Sequence, residues 1–142
     1  MSGFRTELET RDTDELAGLF DLLAPLKYYS DMLDAEITVP TGFRSDGNST
    51  PRLPFAYLIV GGRGKKAAVL HDFLYSGGLV DGRALTRKEC DQVFAEALRS
   101  CGYSELVVGI MYAGVRTGGW YFWNKPNQYQ PPQVAAVMAD QP

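Results

Sequence analysis

A single histidine stands in this chain of 142 residues, and a carboxylate follows it directly: His71-Asp72, within Val69-Leu-His-Asp-Phe-Leu-Tyr75. On a helix, residues four apart stack on one face, so Tyr75 shares a face with His71 while Asp72 projects about 100° away. A second carboxylate, Asp91, lies at the edge of a later apolar stripe, beside Phe94 and Leu98. Two helices packed through their apolar faces would bring Asp91 to His71 or Tyr75. A carboxylate on one ring nitrogen fixes the tautomer and stabilises the imidazolium, while the other nitrogen takes a proton from water. His71, Asp91 and Tyr75 are therefore the candidate catalytic residues. Asp72, aimed elsewhere, is the candidate ligand for a hard cation such as calcium.

The dense turn Asp46-Gly-Asn-Ser-Thr-Pro51 is followed by Arg52. Asp46, Asn48, Ser49 and Arg52, with the distant Arg116, are candidates to line the same site. Each feature also has a structural reading. His71 and a carboxylate can form a hydrogen-bonded pair in a core. Asx and Ser/Thr backbone bonds make a loop of this composition a plain turn. Arg52 and Arg116 can each pair with a buried carboxylate or bind an anion.

The elements that must position these residues follow from local pattern. Lys65 to Tyr75 reads as a helix stopped by Gly77-Gly78, its start Arg63-Gly-Lys65-Lys66 being a solvated basic run. Thr86-Arg-Lys-Glu89 is a capping box. It opens a helix to Cys101, with Cys90, Val93, Phe94, Ala97 and Leu98 at amphipathic spacing and Gly102 as the stop. A third helix starts at Ser104 and runs to about Trp123, its Gly109, Gly114, Gly118 and Gly119 either admitting a neighbouring backbone or kinking it. The aromatic run Trp120-Tyr-Phe-Trp123 reads as packing.

The first half is β-rich. Phe4 to Glu9 reads as a short strand. Lys27 to Ser30 pairs with Glu36 to Val39 across Asp31 to Ala35, and Gly42 to Ser45 adds a third strand. Between them, Asp12-Thr-Asp-Glu15 resembles a capping box before Leu16, Leu19, Phe20 and Leu23, which predicts a helix ended by Pro25. A strand over Leu22 to Tyr29 competes with it, and pattern alone leaves both open. Leu53 to Val60 is an apolar segment crossing the core. The fold class expected is α+β: a small N-terminal antiparallel hairpin or sheet, then three packed helices. Residues 1–123 form one domain, and Asn124 to Pro142, with four of the eight prolines, forms an extended Pro/Gln-rich arm.

Composition bounds the function. Net charge is −3, against the basic face that nucleic acid requires. The two cysteines, Cys90 and Cys101, lie eleven residues apart on one helix, beyond disulfide reach. There is no basic-then-apolar leader and no run of 18 apolar residues, so no signal peptide or membrane span is expected.

Two resemblances follow. His71-Asp-Phe-Leu-Tyr75 with Asp91-x-x-Phe94 resembles the His-Asp-x-x-Tyr and downstream Asp of secreted and bacterial phospholipases A2. It implies His71 as the base that activates water, Asp91 as its orienter, Tyr75 in support and Asp72 on calcium. The glycine-rich calcium loop and the disulfides of that family have no counterpart here. The ordered series Val39-Pro-Thr-Gly-Phe43, Ser45-Asp-Gly-Asn-Ser-Thr-Pro-Arg52, Leu70-His-Asp-Phe-Leu-Tyr75, Thr86-Arg-Lys-Glu-Cys-Asp91 and Met111-Tyr-Ala-Gly-Val-Arg116 is similar to the DUF1353 family of phage and prophage proteins. That resemblance implies phage origin without supplying a mechanism. Together they suggest a phage accessory protein, of the virion or of lysis, with a hydrolase-like His/Asp site. Its place would be the host cytoplasm or the virion. The alternative is a non-catalytic tail or capsid component that binds other phage proteins, or itself, through its arm.

Overall fold

The computed structural model describes residues 1–14, 19–45 and 62–123. The loop bearing Asp46, Asn48, Ser49 and Arg52, the apolar segment Leu53 to Val60 and the arm 124–142 lie outside the described residues.

The described chain is α+β: short antiparallel strands, then three helices. Its best-defined sheet is built on the hairpin of β4 (Leu26–Ser30) and β5 (Ala35–Val39), paired from Leu26↔Val39 to Ser30↔Ala35. Leu26, Tyr28, Ile37 and Val39 are buried on one face while Glu36 and Thr38 stay exposed, the period-two alternation of a strand with one dry face. Asp34, at φ 48°, closes the turn in the left-handed region that aspartate tolerates better than most residues. β1 (Gly3–Phe4) pairs with β4 on the other edge. It is shorter than the strand expected over Phe4 to Glu9, although the Arg5 N–H still donates to the Lys27 carbonyl at 2.8 Å.

The second sheet decides against the helix that the sequence left open after Asp12. Among the described residues, Asp12 lies within a strand and not before a helix. Thr10–Asp14 is β2, and it pairs antiparallel with β3 (Leu19–Leu22), which in turn pairs with β6 (Arg44–Ser45). The reason is burial at period two rather than 3.6: Phe20 and Leu22 enter the core, Asp21 between them meets Arg44, and Leu23 is exposed. Asp21 and Arg44 are cross-strand partners and form a bidentate pair, Nε–Oδ1 2.7 Å and NH2–Oδ2 3.1 Å.

Three helices then complete the core. α1 (Gly62–Tyr75) buries Ala67, Ala68, Val69, Leu70, Phe73 and Leu74, which wrap most of its circumference, so it is enclosed rather than surface-lying. Its basic start is not a free solvated run: Lys65 lies 4.4 Å from the Phe20 ring centroid, and Lys66 pairs with Glu7 at 3.1 Å. α1 ends in a Schellman cap, with Gly77 at φ 88°, the Gly78 N–H on the Phe73 carbonyl and the Gly77 N–H on the Leu74 carbonyl. A two-stranded ribbon, β7 (Leu79–Val80) and β8 (Arg83–Ala84), turns at Asp81-Gly82 with both residues at positive φ. α2 (Arg87–Ser100) opens on the full Thr86/Glu89 capping box and packs between α1 and α3 (Glu105–Trp123). α3 runs unbroken through its glycines, and a Cβ at Gly109 or Gly118 would meet nothing within 4 Å, so neither marks a close backbone approach. Tyr28 donates to Glu96 at 2.8 Å, and the Met32 N–H donates to the other oxygen of that carboxylate, which binds α2 to the β4–β5 hairpin. Cys90 and Cys101 are both free thiols.

Candidate functional site: one buried carboxylate shared by three helices

Asp91 is the centre of the site. It is fully buried on α2, and its two oxygens divide their work. Oδ1 faces α1, 2.9 Å from His71 Nε2, and accepts from the Tyr75 hydroxyl at 2.5 Å. Oδ2 faces the arginines, accepting from Arg116 NH1 of α3 at 2.8 Å and, more distantly, from Arg87 NH1 at 3.4 Å. Arg87 lies one turn before Asp91 on the same helix, so α-helical spacing delivers it. It also donates to the Val115 carbonyl at 3.1 Å and the Arg116 carbonyl at 3.4 Å, locking α2 onto α3.

Electrostatics follow from this donor set. Burial works to raise the Asp91 carboxyl, but the hydrogen bonds from His71 and Tyr75, the nearby His71 charge and the bond from Arg116 outweigh it and hold the group below the usual carboxylate range. Asp91 is therefore ionised at neutral pH. The Tyr75 phenol is pushed above its ordinary value, first by burial and then by its bond to Asp91, so it remains a donor.

The His71 ring is held between two others, 4.1 Å from the Tyr75 centroid and 4.6 Å from the Phe94 centroid. It is 8% exposed, and no partner for Nδ1 is found among the described residues. An ionised carboxylate can only accept, so Nε2 carries the hydrogen that points at Asp91 and Nδ1 keeps its lone pair when the ring is neutral.

Asp72 points to a different place. It accepts from Ser45 Oγ of β6 at 2.8 Å, across the junction of α1 with the second sheet. Among the described residues no three histidine, cysteine, aspartate or glutamate side chains gather into a group that could hold a metal ion. The loop 46–52 that would supply further oxygens beside Asp72 lies outside the described residues, and no step is routed through calcium.

Two participants escaped sequence reasoning. Arg87 was legible in principle, as a cation four residues before a carboxylate on a helix. Ser45 was visible only as a strand residue, because its partner lies 27 positions away.

A family model described as "Protein of unknown function (DUF1353)" matches residues 20–115. The chain belongs to the DUF1353 family. No curated protein and no solved structure matches it. The DUF1353 match begins at Phe20 of β3 and ends at Val115, so it spans His71, Tyr75, Arg87 and Asp91 and stops one residue before Arg116. No helix among the described residues of this DUF1353 chain is long and apolar enough to cross a membrane.

Proposed function

We propose that this chain is a phage-encoded accessory protein, of the virion or of lysis, in which His71 acts as general base for ester hydrolysis. The observation that carries the reading is the pairing of His71 Nε2 with an ionised, fully buried Asp91, which leaves Nδ1 as the basic nitrogen. A water at Nδ1 gives its proton to the ring as its oxygen bonds to the ester carbonyl carbon. Asp91 stabilises the imidazolium that results, and Tyr75 and Arg116 hold Asp91 in place. The ring then returns the proton to the departing alkoxide, giving acid and alcohol. The resemblance of the ordered motifs to a family of phage and prophage proteins supports the origin and, with it, a place in the host cytoplasm or the virion.

A second reading rests on the saturation of Asp91. Four donors from three helices make it a clasp, and a ring between Tyr75 and Phe94 with 8% exposure fits a structural role. On that reading the protein is an assembly component of a tail or capsid.

Hydrolysis of p-nitrophenyl esters and of phospholipid vesicles, by wild type and His71→Ala, separates the two. The catalytic reading expects turnover to fall about 10²–10⁴-fold in a variant that still unfolds cooperatively. A folded wild type with no ester turnover, or turnover that His71→Ala leaves intact, would support the assembly role instead.

A further inference from the structure

Among the described residues, the site holds more positive charge than its carboxylate consumes. Arg87 and Arg116 both address one oxygen of Asp91, so two guanidiniums share one negative charge. The two are not equivalent. Arg87 is spent on the protein: its side chain is 19% exposed, and it donates to Asp91 and to two carbonyls of α3. Arg116 is 30% exposed, and among the described residues its guanidinium has Asp91 as its one partner, through NH1 alone. Among the described residues its Nε and Nη2 have no acceptor. A cation only partly used among the described residues thus stands on the same carboxylate as the His71 ring, each on its own oxygen.

We infer that Arg116 is an anchor for an oxyanion of the substrate, with a phosphate group as the ligand class, bound beside His71. This deepens and rests on the hydrolase reading, because it says what the base acts next to: an ester whose molecule carries an anionic group. The planar fork of arginine offers paired donors to such an oxyanion, and the fork here is already oriented by Asp91, so little freedom is lost on binding. Net charge of −3 for the whole chain makes this a local feature rather than a general affinity for anions.

The single histidine supplies a specific reporter. Inorganic phosphate is titrated at constant pH and ionic strength into the full-length protein, and the His71 ring resonances are followed by NMR, with sodium chloride as the control titrant. The expected result is a saturable shift with phosphate, absent with chloride, and weakened about tenfold or more in Arg116→Gln. Arg116→Lys keeps a cation on Asp91 and so protects the fold; having lost the fork, it is expected to bind several-fold more weakly. No saturable shift in the folded wild type, or an unchanged affinity in either folded variant, overturns the inference. The outcome is independent of catalysis. Phosphate that fails to bind, while neutral esters are still cleaved in a His71-dependent manner, removes the anchor and leaves the base; phosphate binding without any ester turnover does the reverse.

Discussion

Asp91 has no exposed surface and four neighbouring donors, so its energetic role is specific and its pH signature has a definite sign. Its carboxyl titrates below the ordinary range in the folded protein, against a value near 4 in the unfolded chain. The unfolded state therefore takes up the proton first. The stability contributed is complete above about pH 4 and is lost as pH falls through the depressed folded value. Asp91→Asn removes the titration and leaves two half-buried arginines short of their counter-charge, at a cost of about 1–3 kcal/mol. Urea unfolding at pH 7 measures that loss, and unfolding from pH 6 to pH 2 should show the gap between the two proteins closing towards acid. Glu89, held at about 2 mainly by Arg83 and the Thr86 N–H, loses stability in the same direction in both, so the difference isolates Asp91. Parallel pH profiles would mean that folding does not depress the Asp91 carboxyl. At this scale the sequence went far: His71, Tyr75, Asp91 and an arginine pairing of Arg116 were all readable from residue type and helical spacing. Asp72 was readable as pointing elsewhere, but its partner Ser45 was not, because strand-to-helix contacts leave no local pattern.

The helices present the site because their ends are fixed by short-range chemistry. Thr86 accepts from the Glu89 N–H at 3.1 Å while Glu89 accepts from the Thr86 N–H at 3.0 Å, which sets where α2 begins and hence where Asp91 falls on its circumference. Thr86→Ala should cost about 1 kcal/mol in a chemical melt. A change near zero would mean that tertiary packing alone sets the helix start. At the other junction, a Cβ on Gly78 would stand 2.2–2.4 Å from atoms of the Phe73 ring. Gly78→Ala must displace a buried aromatic from the α1 cap and should destabilise by about 1–3 kcal/mol. A neutral outcome would show that the ring moves aside freely. The capping box and the glycine stops were legible because they are local. The region from Asp12 to Leu23 stays open between helix and strand for the same reason: Leu19, Phe20 and Leu23 mimic a helical repeat, and only pairing with Thr10–Asp14 and Arg44–Ser45 decides for strand. The Asp81-Gly82 turn, flanked by Val80 and Arg83, was a hairpin signal present in the sequence and passed over.

Across the whole molecule, the hairpin sheet, the second sheet and three helices close on one core, and one carboxylate ties all three helices together. The α+β class was legible from the change of pattern along the chain, whereas the division of the strands into separate sheets was not, since it depends on non-local pairing. The account requires that this assembly hold the His71 ring with its Nε2 hydrogen on Asp91 and its Nδ1 lone pair free. The ¹⁵N chemical shifts of the sole histidine ring, recorded at a pH where the ring is neutral, read that arrangement directly. They should report the Nε2–H tautomer in the wild type, with a mixture of tautomers appearing in Asp91→Asn. A ring protonated on Nδ1, or one indifferent to the loss of the Asp91 charge, would contradict it.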